Sequence, residues 1–270
     1  MPMLNYKTKS IAPGTWAIEE KSPVSQGLCY LLCGTAQALL IDTGFGFPGL
    51  KSAVESLTDL PVTVVNTHGH VDHIGGNHFF SNIWLHADDR ETFAMHSNMA
   101  YTSSLMPGLA FVLKTPLRRF LTQVLTVPPG GEYHYFTDGQ TFDLGGRTVV
   151  CIHTPGHTPG SCVFLDKKQR LLFSGDTVCA WGVLLEFREC CPPEVFLESM
   201  ERLLAIQESF GTIWPGHHAF PIDKGYLAEY REGAQEIVNG TAQFIRKGKR
   251  IFAKHGRILI ALPPDYPKGA

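Results

Sequence analysis

The run Val62-Thr63-Val64-Val65-Asn66 passes directly into Thr67-His68-Gly69-His70-Val71-Asp72-His73-Ile74-Gly75-Gly76. The first part is β-branched and apolar, so it reads as a strand. The second packs three imidazoles and a carboxylate into the six residues His68 to His73. That places them on the loop leaving the C-terminal end of the strand, with Gly75 and Gly76 opening a turn. Donors so closely spaced share one metal site. His68 and His70 project to one side and Asp72 and His73 wrap to another, which suits two adjacent ions better than one. Upstream, Gly49 to Thr58 carries apolar residues at helical spacing, and strand, helix, strand is the alternation of an α/β protein.

Further upstream, Thr15–Glu20, Leu28–Cys33 and Gln37–Asp42 read as three short strands that begin an antiparallel sheet. Asp42 leaves a buried apolar run onto a glycine turn, and an ionised carboxylate there needs partners. Its expected role is to orient a ligand histidine. Downstream of the cluster, Asn77–Phe80 reads as a turn and Ile83–Ala87 as a strand, with His78 and His86 in structural roles. From Asp88 to Tyr135 the sequence becomes helical and aromatic, broken by Pro107, Pro116 and Pro128-Pro129. Met95, Met99, Tyr101, Leu105, Met106, Phe111, Phe120 and Leu121 make it a helical insertion. It would serve as a lid or pocket wall, as a dimer contact, or as a hairpin packed on the sheet.

Thr141–Leu144 and Arg147–His153 resume the strands around Gly145-Gly146. They lead to Thr154-Pro155-Gly156-His157-Thr158-Pro159-Gly160-Ser161, where two proline-glycine corners hold His157 at a strand end as a metal ligand. His153 is expected to be structural. Ser161–Asp166 and Arg170–Phe173 form a hairpin about Lys167-Lys168 that ends in Ser174-Gly175-Asp176-Thr177. Asp176 therefore emerges from a buried strand, as Asp42 does, and is expected to be a bridging ligand. A helix over Glu194–Ser209 and a strand over Thr212–Trp214 precede Pro215-Gly216-His217-His218, of which either histidine could reach a metal, the glycine favouring His217. A last helix is expected from Lys224 to about Lys254, its basic run of Arg246, Lys247, Lys249, Arg250 and Lys254 forming a solvated end.

At 270 residues, with 44% hydrophobic content, the chain is long enough to bury its core as a single domain, residues 1–270 with the insertion at about 88–135. A net charge of −2 leaves no bulk footprint for nucleic acid. Met1 to Ser10 lacks the apolar core of a signal peptide and no run reaches the length of a membrane span, so a cytoplasmic location is expected. The seven cysteines include no C-x-x-C pair. Cys151 and Cys162, inside apolar strands, read as reduced core thiols.

Taken in order, the motifs at His68 to His73, His157, Asp176 and His217 resemble those of the metallo-β-lactamase fold hydrolases, over about Leu28 to Phe220. Thr67 to His73, Thr154 to Ser161 and Ser174 to Thr177 look most like the glyoxalase II-like branch. The resemblance implies an αββα sandwich of two mixed sheets flanked by helices. It implies that His68, His70 and His157 hold one divalent ion, that Asp72, His73 and His217 hold a second, and that Asp176 bridges them. Asp176 stands where many β-lactamases of this fold place a cysteine, which argues against an antibiotic-resistance role. The tail after His217 is shorter than the glutathione-binding domain of glyoxalase II.

A water between two divalent cations loses a proton near neutral pH and needs no protein nucleophile, with Asp72 as the catalytic carboxylate. Zinc is the expected metal from the ligand chemistry, with iron and manganese as alternatives. The expected substrate is a small-molecule ester, lactone or thioester, and a homodimer is a possible assembly. Two rival readings are a mononuclear iron persulfide dioxygenase and a silent metal-binding scaffold. A flavodiiron-type oxidase is disfavoured by His70, where those proteins usually carry a glutamate.

Overall fold

The computed structural model describes residues 6–21, 26–98 and 131–266. The chain divides into two compact units, Met1–Thr137 with Phe142–Thr148, and Asp138–Thr141 with Val149–Ala270.

In the first unit the strands are β1 (Lys7–Ala12), β2 (Thr15–Lys21), β3 (Gln26–Cys33), β4 (Ala38–Ile41), β5 (Val62–Val65), β6 (Asn82–His86) and β7 (Glu132–Phe136). They form one sheet in sequence order. Tight connections make β1 to β4 antiparallel, and crossovers make β4 to β7 parallel. The β4-to-β5 crossover is the helix α1 (Leu50–Glu55), which buries Leu50 and Val54, four residues apart, against Ile18, Leu31, Leu40, Val64 and Ile83. The three upstream strands, the helix and β5 stand where the periodicity places them. β1 does not, because its Lys7-Thr8-Lys9-Ser10 is exposed and carries no apolar alternation.

Two short helices follow, α2 (Val71–Ile74) directly after β5 and α3 (Arg90–His96) after β6. Asp72 and His73 thus sit on a helical turn rather than on a loop. Gly75 donates to the Gly44 carbonyl at 2.9 Å, and a Cβ at Gly75 would lie 2.4 Å from the Phe45 backbone. Only glycine permits the turn after α2 to seat against the turn after β4. Of the expected insertion, α3 and β7 are its described ends. Residues 99–130, with the expectation of a lid, wall or dimer contact, lie outside the described residues.

The second unit builds on the hairpin of β9 (Thr148–His153), β10 (Cys162–Asp166) and β11 (Leu171–Gly175), with β8 (Thr141–Asp143) at one edge. β12 (Gly182–Leu184) follows, then helix α4 (Pro193–Ala205), β13 (Thr212–Pro215) parallel to β11, and helix α5 (Gly225–Val238). Phe196, Met200 and Leu203 of α4 and Leu227, Tyr230 and Ala234 of α5 share one core with Val163, Leu172 and Ile213 of the strands. Mixed β-sheets with flanking helices make this an α/β fold, as expected from the sequence.

The last expected helix is corrected. α5 stops at Val238, Gly240 takes a φ of 72°, and the chain turns into β14 (Gln243–Lys247), β15 (Arg250–His255) and β16 (Ile258–Leu262). Ile251, Phe252 and Ala253 are buried in succession between exposed Arg250 and Lys254, and β15 is hydrogen-bonded on both sides, to β14 and β16. The basic run therefore lies on a hairpin, not at a helix end. β16 pairs in parallel with β12. Cys151 and Cys162 are fully buried, as expected, and none of the seven cysteines forms a disulfide. Among the described residues no helix is long and apolar enough to cross a membrane.

Candidate metal centre

In the first unit the donors stand at the C-terminal ends of β4 and β5, where parallel strands of an open sheet present functional groups. The His68 ring lies 4.6 Å from that of His70 and 4.0 Å from that of His73. The α2 turn folds His73 back beside His68, so the two sides expected from spacing lie next to each other, as adjacent ions would require. Asp72, also on α2, is partly exposed beside these buried rings.

Asp42 does what its position suggested. Its Oδ1 accepts from the Thr67 N–H and its Oδ2 from the Thr67 hydroxyl, each at 2.7 Å. Oδ2 also lies 2.8 Å from His73 Nδ1, inside a buried pair. A carboxylate facing Nδ1 fixes that ring with Nε2 directed away, the tautomer a metal ligand needs. The backbone is fixed as well. The His73 carbonyl accepts from the Thr43 amide at 2.9 Å, from the Thr43 hydroxyl at 3.0 Å and from Asn66 Nδ2 at 3.0 Å. Asn77 closes the set by donating to Asn66 Oδ1 at 2.8 Å.

Three supporting residues escaped the sequence reading. Asp89, fully buried, accepts from the Gly69 N–H at 2.6 Å, and a Cβ on Gly69 would stand 2.7 Å from the Phe93 backbone nitrogen. The His96 ring lies 4.2 Å from that of His70. Asp89 and His96 flank α3 at two-turn spacing, a face that could have been read from the sequence. Glu20, also buried, accepts from Tyr6 at 2.5 Å and from the Phe45 amide at 2.8 Å, tying β2 to the turn after β4. Burial pushes its carboxyl above the usual range, against the hydrogen bonds from Tyr6, Phe45 and Phe47, and the Asp72 charge adds to the rise.

The second unit brings together His157, Asp176 and His217. His157 Nδ1 donates to the Leu184 carbonyl at 2.7 Å, which turns Nε2 toward Asp176. His157 Nε2 and His217 Nε2 lie 3.6 and 3.5 Å from the two oxygens of Asp176. Those separations are long for hydrogen bonds and suit donors sharing cations, since ligand atoms about 2.0–2.2 Å from one ion stand roughly 3.3 Å apart. His218 turns elsewhere. Its φ of 69° is one that non-glycine residues rarely adopt, and its ring stacks on Trp181 at 4.4 Å. Burial, and then His217, hold its pKa below the ordinary imidazole value. His78 Nδ1 bonds the Gly75 carbonyl at 2.9 Å, and His86 Nδ1 accepts from the Asp88 N–H at 3.2 Å.

The donor chemistry of both groups fits divalent cations. Nε2 of His68, of His70 and of His157 is buried without a hydrogen bond, although each of these rings is engaged elsewhere. Imidazoles and carboxylates without thiolates suit zinc, iron or manganese.

A family model for the metallo-beta-lactamase superfamily matches residues 22–239. The chain belongs to the metallo-beta-lactamase superfamily. Human acyl-coenzyme A thioesterase MBLAC2 is 28% identical to it over 228 residues, which span 78% of this chain and 81% of the human protein. The atrochrysone carboxyl ACP thioesterase of Aspergillus fumigatus is 27% identical over 195 residues, 70% of this chain and 50% of the fungal one. Among solved structures, a metallo-beta-lactamase family protein from Thermus thermophilus superposes with a TM-score of 0.65 at 21% identity, covering 86% of this chain and 82% of its own. A likeness at that identity speaks for the fold. Membership of the metallo-beta-lactamase superfamily fits a metal-binding hydrolase, and the histidines and aspartates above are its candidate donors.

Proposed function

We propose that this chain is a glyoxalase II-like thioester hydrolase of the superfamily, acting on a small acyl thioester with two divalent cations, zinc by default. His68, His70 and His157 would hold one ion, Asp72, His73 and His217 the other, and Asp176 would be shared. The observation that carries the reading is how the rings are fixed. Asp42 faces Nδ1 of His73, and the Leu184 carbonyl accepts from Nδ1 of His157, so each ring offers Nε2 as a ligand before any metal arrives. The thioester class is supported by the two relatives named as thioesterases.

Divalent ions held by these residues would supply an acidified water, with a pKa of about 7, and positive charge for the substrate carbonyl. The chain supplies the rest. Asp72, on the first turn of α2 and partly open to solvent, would accept the proton that the attacking water releases and pass it to the departing thiolate sulfur. Asp89 and the Asn66–Asn77 pair keep the backbone of residues 69 to 73 in place while that proton moves. A small-molecule substrate, a cytoplasmic location and a homodimeric assembly belong to the same proposal.

The test is metal analysis together with turnover of a panel of acyl-coenzyme A thioesters. Two zinc ions per chain and hydrolysis without oxygen uptake are expected. Asp72→Asn and His70→Ala should each lower turnover by orders of magnitude with unchanged circular dichroism. Near-wild-type turnover in either variant would refute the assignment. A single iron with oxygen uptake would replace it by the persulfide dioxygenase reading.

A further inference from the structure

Trp181 is the most exposed large apolar side chain among the described residues, at 66%. It stands just before β12 and its backbone carbonyl accepts from the Leu259 amide of β16 at 3.2 Å, so its position is fixed although its ring is open. One face of the indole is covered by the His218 imidazole, with ring centres 4.4 Å apart and planes 20° from parallel. Among the described residues, none stacks on the other face. His218 in turn follows His217, and their rings are 5.9 Å apart. The indole thus lies two ring-to-ring steps from a candidate metal ligand. His218 reaches it from a backbone conformation that strains any residue with a Cβ, so the stack is held against a local cost.

An indole held flat, supported from behind and left in water is a surface waiting for an apolar partner. The charges around it say which kind. Arg257, which immediately precedes β16, is spent on Asp223 and Glu229, and Arg250 of β15 on Glu186. With these guanidiniums paired to carboxylates, neither is left to favour the phosphates of a nucleotide carrier. Hydrocarbon meets no such need.

Resting on the thioester reading, the geometry points to the Trp181–His218 stack as the platform on which the acyl chain of the substrate lies, making Trp181 a determinant of chain length. An acetyl group ends before it reaches the indole. A medium or long chain crosses it and buries methylenes against the open face.

The experiment compares kcat/KM for acetyl and dodecanoyl thioesters of coenzyme A in the wild type, Trp181→Ala and Trp181→Phe. The dodecanoyl-to-acetyl ratio is expected to fall about tenfold in Trp181→Ala, the effect of losing roughly two buried methylenes, and to recover largely in Trp181→Phe. An unchanged ratio, whether both thioesters lose equally or neither does, overturns the platform. Equal loss would place the carrier on the indole instead. Intrinsic fluorescence during a dodecanoate titration, read as the difference between wild type and Trp181→Phe, separates the two failures. Quenching assigned to Trp181 without turnover of any thioester keeps the platform and rejects the thioesterase. Neither turnover nor quenching rejects both.

Discussion

Asp42 shows how much one carboxylate can carry. It holds the Thr67 amide, the Thr67 hydroxyl and the His73 ring together, and it does so at a φ of 60°. Asparagine tolerates that backbone, so Asp42→Asn should keep the fold while replacing an acceptor by an amide beside His73. Metal affinity is expected to fall by about 10–100-fold, read by competition with a chromogenic chelator. An affinity equal to the wild type would mean that His73 is not oriented for a metal. Asp42 could be singled out beforehand because a charge at the end of a buried run is conspicuous in any sequence. Between His217 and His218 the sequence offered only a preceding glycine as a guide. What separates them is that His217 Nε2 faces Asp176, whereas His218 turns to Trp181. The two-turn spacing of Asp89 and His96 marks one face of α3, but what ties that face to the histidine cluster is the docking of α3 behind Gly69.

Among the elements, the contact between the turn after α2 and the turn after β4 is the least forgiving. Gly75 and Gly46 press backbone against backbone there, since a Cβ on Gly46 would lie 2.2 Å from the Gly75 carbonyl oxygen. Gly75→Ala should therefore cost on the order of 2–3 kcal/mol, as overpacking without a flexible neighbour does. A chemical denaturation midpoint within error of the wild type would contradict that contact. The error over α5 has a different origin. The expected helix ran on past the helical period that ends at Val238 into the strands that begin at Gln243. Gly240, Gly248 and Gly256, all at positive φ, punctuate the change. The central strands were legible because short apolar runs such as Leu28–Cys33 and Val62–Val65, bounded by glycine, proline or asparagine, leave few alternatives. β1 was not, since an exposed edge strand needs no apolar pattern.

For the molecule as a whole, metal and protons are the two levers on stability. Bound ions stabilise only the folded state, so stripping them with a chelator should lower the melting temperature by on the order of 10 °C if they are held about a thousandfold above their dissociation constant. A scan unchanged by chelation and re-addition of zinc would argue against resident metal. His255 supplies the proton dependence. Burial alone would lower its pKa, but Glu236, 3.0 Å from Nδ1, and then Glu232, 3.1 Å from Nε2, outweigh it and raise the value above 6.5. A raised histidine contributes its stability in full below the unfolded-state value and loses it as pH climbs through the folded-state value. The urea midpoint of the wild type should therefore exceed that of His255→Gln clearly at pH 6 and converge on it by pH 9. A gap that widened with pH would reverse the sign. Finally, Leu184 lends its carbonyl to His157 and is itself paired in β12 with Ala261 of β16. Trimming the polypeptide from its carboxyl end would thus slacken an imidazole encoded far upstream, and a cation held there would leave before the scaffold melted.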